Sequence, residues 1–104
     1  MSNARVKPAE CATMAEVRHG VDRLDEEMVA LLAERFRYME AAARIKPGRG
    51  AVRDEARKAD VIAKVRASAD RENAPADRVA LLYDGLVESS IAYEFERYDA
   101  TRAD

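Results

Sequence analysis

The sequence predicts an all-α protein with three helices per chain, the first of them very long. Three observations support this class. Ala, Glu, Arg, Leu and Val are the dominant residue types, which is the composition of a helical protein. Apolar residues recur at steps of three and four, and we find no alternation typical of a strand. Gly and Pro are few, with four and three copies, and several of them lie between the periodic segments.

The first helix is predicted over residues 14–45, after a loose lead of residues 1–13. Thr13 is a good N-cap, and Glu16 follows three residues later to complete a capping box. The Lys-Pro-Gly-Arg-Gly stretch of residues 46–50 ends the helix and opens a loop, which we expect to be mobile without ligand and to close over it. A heptad seam runs along the helix through Met14, Val17, Val21, Leu24, Met28, Leu31, Arg35, Tyr38, Ala42 and Ile45.

Two shorter helices follow, over about residues 53–72 and 76–98. Asn73, Ala74 and Pro75 separate them, because Pro cannot continue a helix. We expect residues 14–100 to form one helical domain and residues 101–104 to form a tail. The third helix is predicted to turn inward Val79, Leu82, Leu86, Val87, Ile91, Phe95 and Tyr98.

The length of the first helix predicts a homodimer. Thirty-two residues, 14 through 45, span about 48 Å at 1.5 Å per residue. A compact globule of 104 residues is only about 33 Å across, so such a helix overhangs its own domain and exposes part of its seam. A second copy of the chain packed along the helix with twofold symmetry would cover those residues. The alternative is a bent helix in a monomeric three-helix bundle.

Composition excludes several classes of function. The net charge is −2, which leaves no basic footprint for nucleic acid. No apolar run reaches the length of a signal peptide or a membrane helix, so we expect a cytoplasmic protein without membrane contact. One cysteine, Cys11, and one histidine, His19, make a metal site or a nucleophile–base pair implausible.

Arg35 occupies a seam position where a leucine is expected. A guanidinium does not lose its charge, and its burial costs several kcal/mol unless an anion meets it. Other polar residues share the apolar faces, which indicates a small cavity with an excess of positive charge, suited to a small dianion. Glu94 could instead neutralise Arg35 internally. The further inward polar residues are Arg18, Lys46, Asp54, Arg57 and Ser90.

These residues resemble the all-helical chorismate mutases. The resemblance is carried by Met14-Ala-Glu-Val-Arg18-His-Gly-Val-Asp22-Arg-Leu-Asp25, Leu31-Leu-Ala-Glu-Arg35, Lys46, Val52-Arg-Asp54-Glu-Ala-Arg57, Ser90 and Glu94. It extends from about Cys11 to Tyr98, and the order and spacing of the elements make it specific. The resemblance implies an intertwined helical homodimer of the chorismate mutase II type. It also implies a pericyclic rearrangement of chorismate to prephenate, in aromatic amino acid biosynthesis, without cofactor or covalent intermediate.

The resemblance also implies roles for individual residues. Arg18, reaching in from the partner subunit, and Arg35 would grip the two substrate carboxylates, with Arg57 as a third cation. Lys46 and Glu94 would donate to the ether oxygen. The catalytic residues implied are Lys46, Glu94 and Arg35. The remaining contacts would be Asp54 to the ring hydroxyl, Ser90 to a carboxylate, and the apolar walls Val61, Val87 and Ile91.

Two positions depart from the pattern of the family. Bacterial members often have Gln where this chain has Glu94, and a glutamate can donate only when it is protonated. Some relatives have an acid at the position of Lys58 that also contacts the ring hydroxyl. The loss of that acid would weaken binding of the substrate.

Two alternatives remain open from the sequence. Isochorismate pyruvate-lyase, which makes salicylate for siderophores, is similar to this chain along its length, including the lead Pro8-Ala9-Glu10-Cys11. Asp54 fits a mutase better, since the lyase need not read the hydroxyl in the same way. The other alternative is a non-catalytic helical dimer in which Arg35 is neutralised within the protein.

Overall fold

A computed structural model describes residues 5–103 and contains three α-helices and no strand within that range. The helices are α1 (Met14–Ile45), α2 (Glu55–Arg71) and α3 (Ala76–Thr101), with 3-10 turns at Pro8–Glu10 and Arg49–Ala51. The predicted all-α class with one very long helix is confirmed. The expected lead and tail fall partly outside the described residues, at positions 1–4 and 104.

The chain divides into two compact units, of which the first ends at Arg35 and the second begins at Phe36. In the first unit, the predicted capping box starts α1. Thr13 Oγ1 accepts from the Glu16 amide at 3.2 Å, and Glu16 Oε1 accepts from the amides of Thr13 and Ala12 at 3.1 and 2.9 Å. The amide of Ala12 is the main cause that lowers the pKa of Glu16. The lead folds back on the helix, where Arg5 pairs with Glu27 at 3.0 Å.

The seam of α1 is largely exposed to solvent in the single chain. Eight of its ten positions are exposed, and the values reach 68 % at Leu31 and 72 % at Ile45. Soluble monomers rarely expose such a row of large apolar side chains, because contact with water is unfavourable for them.

In the second unit, α2 and α3 pack as antiparallel neighbours. Lys58 pairs with Glu88 at 2.7 Å, and Arg66 pairs with Asp77 at 2.8 Å. Residue numbers therefore increase along α2 in the direction in which they decrease along α3. Asn73 makes the turn between them at φ 57°, a left-handed conformation that Asn tolerates better than most residues.

A Schellman motif closes the end of α2. The amide of Ala74 donates to the carbonyl of Ala69 at 2.8 Å, and the amide of Asn73 donates to the carbonyl of Asp70 at 3.3 Å. Pro75 then prevents the chain from continuing the helix. The predicted break therefore uses all three residues that the sequence indicated.

Three details differ from the sequence-based expectation. The third helix continues to Thr101, beyond its predicted end at about residue 98. The second helix begins at Glu55 rather than 53, because the Asp54 side chain caps it by accepting from the Arg57 amide. Leu82, predicted to face inward, is 72 % exposed. Successive helical residues are about 100° apart, so Leu82 lies about 200° from the buried Ala80. The buried face of α3 instead consists of Ala80, Val87, Ser90, Ile91, Glu94 and Tyr98.

The core of the second unit forms where the end of α1, the following loop and α3 meet. Val52, in the loop, is 2 % exposed, and Ala43 in α1 is fully buried. Phe36 packs edge-on against Tyr93 with ring centroids 5.1 Å apart. The remaining core members are Val87, Ile91 and Tyr98, with Val61 and Phe95 packed against them.

Candidate active site

The centre of the candidate site is an ion pair between Lys46 and Glu94. Lys46 is the first residue after α1, and Glu94 lies on the buried face of α3. Lys46 Nζ is 2.6 Å from Glu94 Oε2, and the Glu94 side chain is only 5 % exposed. The same ammonium donates to the carbonyl of Val52 at 3.1 Å. A charged pair this poorly hydrated is costly to separate, so it fixes both side chains.

The contact between these two groups is electrostatic rather than a well-aligned hydrogen bond. Glu94 Oε2 is buried and has no hydrogen-bond partner among residues 5–103, although the ammonium is close. A buried carboxylate oxygen without an aligned donor is unusual in a folded protein. Such an atom can donate to an acceptor of a bound ligand only when it carries a proton.

An apolar cluster lies beside this pair, since the ammonium of Lys46 donates to the carbonyl of its member Val52. Val87 and Ile91 are buried in the same cluster as Val52, and Val61 packs against it. This environment has a low effective dielectric, which strengthens each electrostatic interaction inside it. The loop residue Val52 was not among the predicted wall residues. The sequence pattern that could have indicated Val52 is a single valine between a Gly-rich loop and the N-cap of a helix.

Ser90 lies on the buried face of α3, one turn before Glu94, and is 3 % exposed. Its hydroxyl donates to the carbonyl of Leu86 at 2.7 Å, which is the local back-bond common for serine in helices. Its predicted contact with a substrate carboxylate would require the hydroxyl proton to turn away from Leu86.

Asp54 and Arg57 lie at the start of α2 and each has a structural partner. Asp54 Oδ1 accepts from the Arg57 amide at 3.0 Å, which is the N-cap of α2. The Arg57 guanidinium pairs with Asp60 at 2.7 Å and is 61 % exposed. Their predicted contacts with substrate remain predictions.

The two other predicted cations, Arg18 and Arg35, lie in the first unit. Arg18 is exposed on α1, and Arg35 is half-buried at the end of that unit. The structure therefore brings together Lys46, Glu94 and the apolar walls within the second unit, with Ser90 beside them on α3.

An ion network beside the site was missed by the sequence reasoning. Glu88 accepts from Arg53 at 2.7 Å and from Lys58 at 2.7 Å, and Lys58 also pairs with Asp84 at 3.0 Å. Hydrogen bonds from Arg53 and Lys58 lower the pKa of Glu88 to about 2. Lys58, noted above as a departure from the family, is thus held by acids on α3. These partners lie far apart in the sequence, so only the fold could pair them.

No group of three His, Cys, Asp or Glu side chains is arranged to hold a metal ion in the described part of the chain. Across residues 5–103, none of the helices combines the length and the apolar character needed to cross a bilayer.

Comparison with known proteins decides the family. The model of the family described as chorismate mutase type II matches residues 17–95, which include both members of the Lys46–Glu94 pair. The chain belongs to this family. The resemblance found in the sequence is therefore confirmed, and family membership supports an activity of the chorismate mutase type.

One curated relative is named for a different reaction. An isochorismate pyruvate lyase of Pseudomonas aeruginosa is 27 % identical to this chain over 95 residues, covering 91 % of this chain and 94 % of the relative. The family that matches this chain is described as a mutase, and this relative is named a lyase.

Proposed function

We propose that this protein is a chorismate mutase that rearranges chorismate to prephenate. The observation that carries the proposal is the Lys46–Glu94 pair, 2.6 Å apart against a wall of valine and isoleucine. Two potential donors converge there, and the Glu94 side chain is only 5 % exposed. The sequence has one thiol, Cys11, and one imidazole, His19, and both belong to the first unit, whereas the pair belongs to the second.

Two donors without a nucleophile suit a pericyclic reaction. In the rearrangement the ether C–O bond breaks while a new C–C bond forms within the same molecule, and no proton or electron is exchanged with the protein. Negative charge grows on the ether oxygen in the transition state. Lys46 and protonated Glu94 donate to that oxygen, and such preorganised donors stabilise the transition state more than the ground state.

The other site residues position the substrate. Arg35, Arg57 and Arg18 of the partner subunit bind the two carboxylates, and Ser90 assists one of them. Asp54 accepts from the ring hydroxyl, while Val61, Val87 and Ile91 hold the ring compact. Holding the reacting atoms in contact supplies a large part of the rate, because it removes the entropy cost of reaching that conformation.

The site is completed by a homodimer. The exposed seam of α1 supports this part of the proposal, because a second copy packed along Leu24, Met28 and Leu31 would bury those side chains. The reaction needs no cofactor. We place it in aromatic amino acid biosynthesis in the cytoplasm.

A second candidate is the lyase reaction that releases pyruvate from isochorismate. It is favoured by the name of the relative from Pseudomonas aeruginosa, whose sequence aligns along nearly the whole chain. That reaction follows a related pericyclic path and would use an equivalent pocket. Asp54 favours the mutase, since it offers a carboxylate to the ring hydroxyl.

The proposal is tested by the consumption of chorismate. The wild-type protein should convert chorismate to prephenate, and Lys46→Met should lower kcat by about a hundredfold or more through loss of a charged donor to the transition state. Lys64→Met is the matched control, because Lys64 is a 68 % exposed surface lysine paired with Asp60. Unchanged chorismate with the wild type, or equal kcat for both lysine variants, would overturn the proposal.

A further inference from the structure

The end of α3 contacts the end of α1 through Arg102, a residue in the segment expected to be a tail. Its guanidinium lies over the Tyr98 ring, 3.7 Å from the ring centroid. Arg102 Nη1 donates to the carbonyl of Ala43 at 3.0 Å, and Nη2 donates to the carbonyl of Lys46 at 3.0 Å. A third bond, from Nη1 to Thr101 Oγ1 at 3.1 Å, orients the same plane.

The need for this contact arises from Pro47. In a continuing helix the carbonyl of Ala43 would accept from the amide of residue 47, but proline has no N–H. Ala43 is fully buried, so water cannot easily replace that donor. Arg102 supplies the missing donor and reaches the carbonyl of Lys46 with its second nitrogen. The planar fork of an arginine suits two carbonyls that lie side by side.

Lys46 is consequently fixed at both ends. Arg102 holds its backbone carbonyl, while its ammonium contacts the Val52 carbonyl and Glu94. A lysine side chain is a flexible four-carbon stem, so the position of Nζ depends on where the backbone places its origin. A backbone shift of about 1 Å at Lys46 would move the ammonium out of line with the ether oxygen.

A second contact holds the loop after Lys46, but it is weaker. Arg49 donates to both carboxylate oxygens of Asp99 at 3.0 and 3.3 Å and lies over Phe95. Both members of that pair are more than half exposed, and solvent screens such a pair strongly. Arg102 acts on the carbonyl of a fully buried residue and is therefore the stronger constraint.

We propose that Arg102 is a positioning residue for Lys46, which replaces the helix donor lost at Pro47 and thereby fixes the ammonium in the active site. The proposal rests on the proposed function, because it gives a catalytic consequence to the position of Lys46. Arg102 itself touches no reacting atom.

The experiment compares Arg102→Gln and Arg102→Lys with Arg66→Gln as the matched control. Arg66 also joins two elements of the second unit, through Asp77 at 2.8 Å, but at the opposite end of α3. The measurements are kcat and KM well below each melting temperature, and amide hydrogen exchange of a peptide that spans residues 47–52.

A positioning role predicts a split between the two kinetic constants. Arg102→Gln should lower kcat about tenfold or more, with KM changed less than about threefold, because the lost alignment matters most in the transition state. Exchange in residues 47–52 should be faster than in the wild type. Arg102→Lys should retain part of kcat, since an ammonium can donate to one carbonyl but lacks the planar fork. Arg66→Gln should match the wild type in all three readouts.

Several results would overturn the proposal. They are a kcat within about twofold of the wild type for both Arg102 variants, an equal loss of kcat in Arg66→Gln, and unchanged exchange at residues 47–52. If Arg102→Gln does not fold, the same criteria are applied to Arg102→Lys. If the wild type turns over neither chorismate nor isochorismate, the proposed function fails, and the exchange measurement alone decides whether Arg102 holds Lys46 and its loop.

Discussion

Glu94 is the residue on which the chemistry of this site depends most closely. A carboxyl group that is 5 % exposed and 2.6 Å from an ammonium can act as an anion or, once protonated, as a donor. In the free protein it neutralises Lys46. In the proposed reaction it must carry a proton, since an ionised carboxylate has none to give to the ether oxygen.

Glu94→Gln tests this requirement, because its amide N–H can donate to the ether oxygen without an added proton. It should keep kcat within about tenfold of the wild type, whereas Glu94→Ala removes the donor and should lower kcat by about a hundredfold. Steady-state kinetics measure both variants, with the exposed neighbour Glu96→Gln as a control that keeps the wild-type kcat. A wild-type kcat in Glu94→Ala would contradict the role given to Glu94.

Asp54 combines a structural role with a proposed binding role, and two substitutions separate them. Asparagine caps helices as well as aspartate, so Asp54→Asn should leave the melting temperature almost unchanged. Its single amide oxygen is needed for the Arg57 amide, so the ring hydroxyl loses its acceptor and KM should rise roughly three- to tenfold.

Asp54→Ala serves as the comparison. It should raise KM similarly and also lower the stability of the fold by about 1 kcal/mol through loss of the cap. Thermal melts and Michaelis–Menten kinetics on both variants give the answer. A wild-type KM in both variants would show that Asp54 only caps α2.

The sequence predicted Lys46, Glu94 and the apolar walls as site residues, but it did not predict how Lys46 and Glu94 interact. The type and periodicity of these residues are local properties, and they indicated an inward acid and an inward lysine. Their ion pair joins residues that are distant in the sequence, so it depends on the packing of the end of α1 against α3. The role of Arg102 was also invisible, because nothing in the sequence shows that this residue returns to Pro47.

At the scale of elements, predictions succeeded where the signal was local. The start and end of α1 follow from the capping box at Thr13 and from the breakers after Ile45. The buried face of α3 was harder to predict, because Leu82 and Ala80 both belong to rows spaced by three and four. Only packing against the neighbouring elements, chiefly α2, selects the row that contains Ala80 and Glu94.

The network between α2 and α3 predicts a stability that depends on acid pH. Arg53 and Lys58 lower the pKa of Glu88 from its usual 4.5 to about 2. A group whose pKa is lowered by folding stabilises the native state above its unfolded pKa. That contribution is fully present above about pH 4.5 and is lost as the pH falls toward 2.

Glu88→Gln should therefore lower the melting temperature near neutral pH and reduce its further decline between pH 4.5 and 2. Melting curves followed by circular dichroism measure both effects. Glu55→Gln is the control, because Glu55 pairs with Arg53 at the surface and is 72 % exposed. Parallel acid curves for Glu88→Gln and the wild type would show that the network contributes little.

At the scale of the whole molecule, the exposed seam of α1 is the feature that a single chain does not explain. We expect the wild type to sediment as a dimer. Leu31→Asp places a carboxylate at a seam position that is 68 % exposed in the chain, and it should give a monomer. Activity should fall by about tenfold or more, because Arg18 of the partner subunit no longer reaches the substrate.

Ala33→Asp is the matched control on the opposite side of the same helix, two positions along, and it should remain dimeric and active. Analytical ultracentrifugation at micromolar concentration distinguishes the two variants. If Leu31→Asp stays dimeric, or the wild type is an active monomer, the proposed assembly is wrong.

Rearrangement of chorismate by this site is tested by giving the purified wild-type protein chorismate and isochorismate in parallel assays. The assay quantifies prephenate formed from chorismate, and salicylate and pyruvate formed from isochorismate, to obtain kcat/KM for each reaction. Prephenate formation should have the larger kcat/KM and should disappear in Lys46→Met. Salicylate as the dominant product would assign the lyase reaction to this pocket, and the absence of both products would contradict a catalytic role for the Lys46–Glu94 pair.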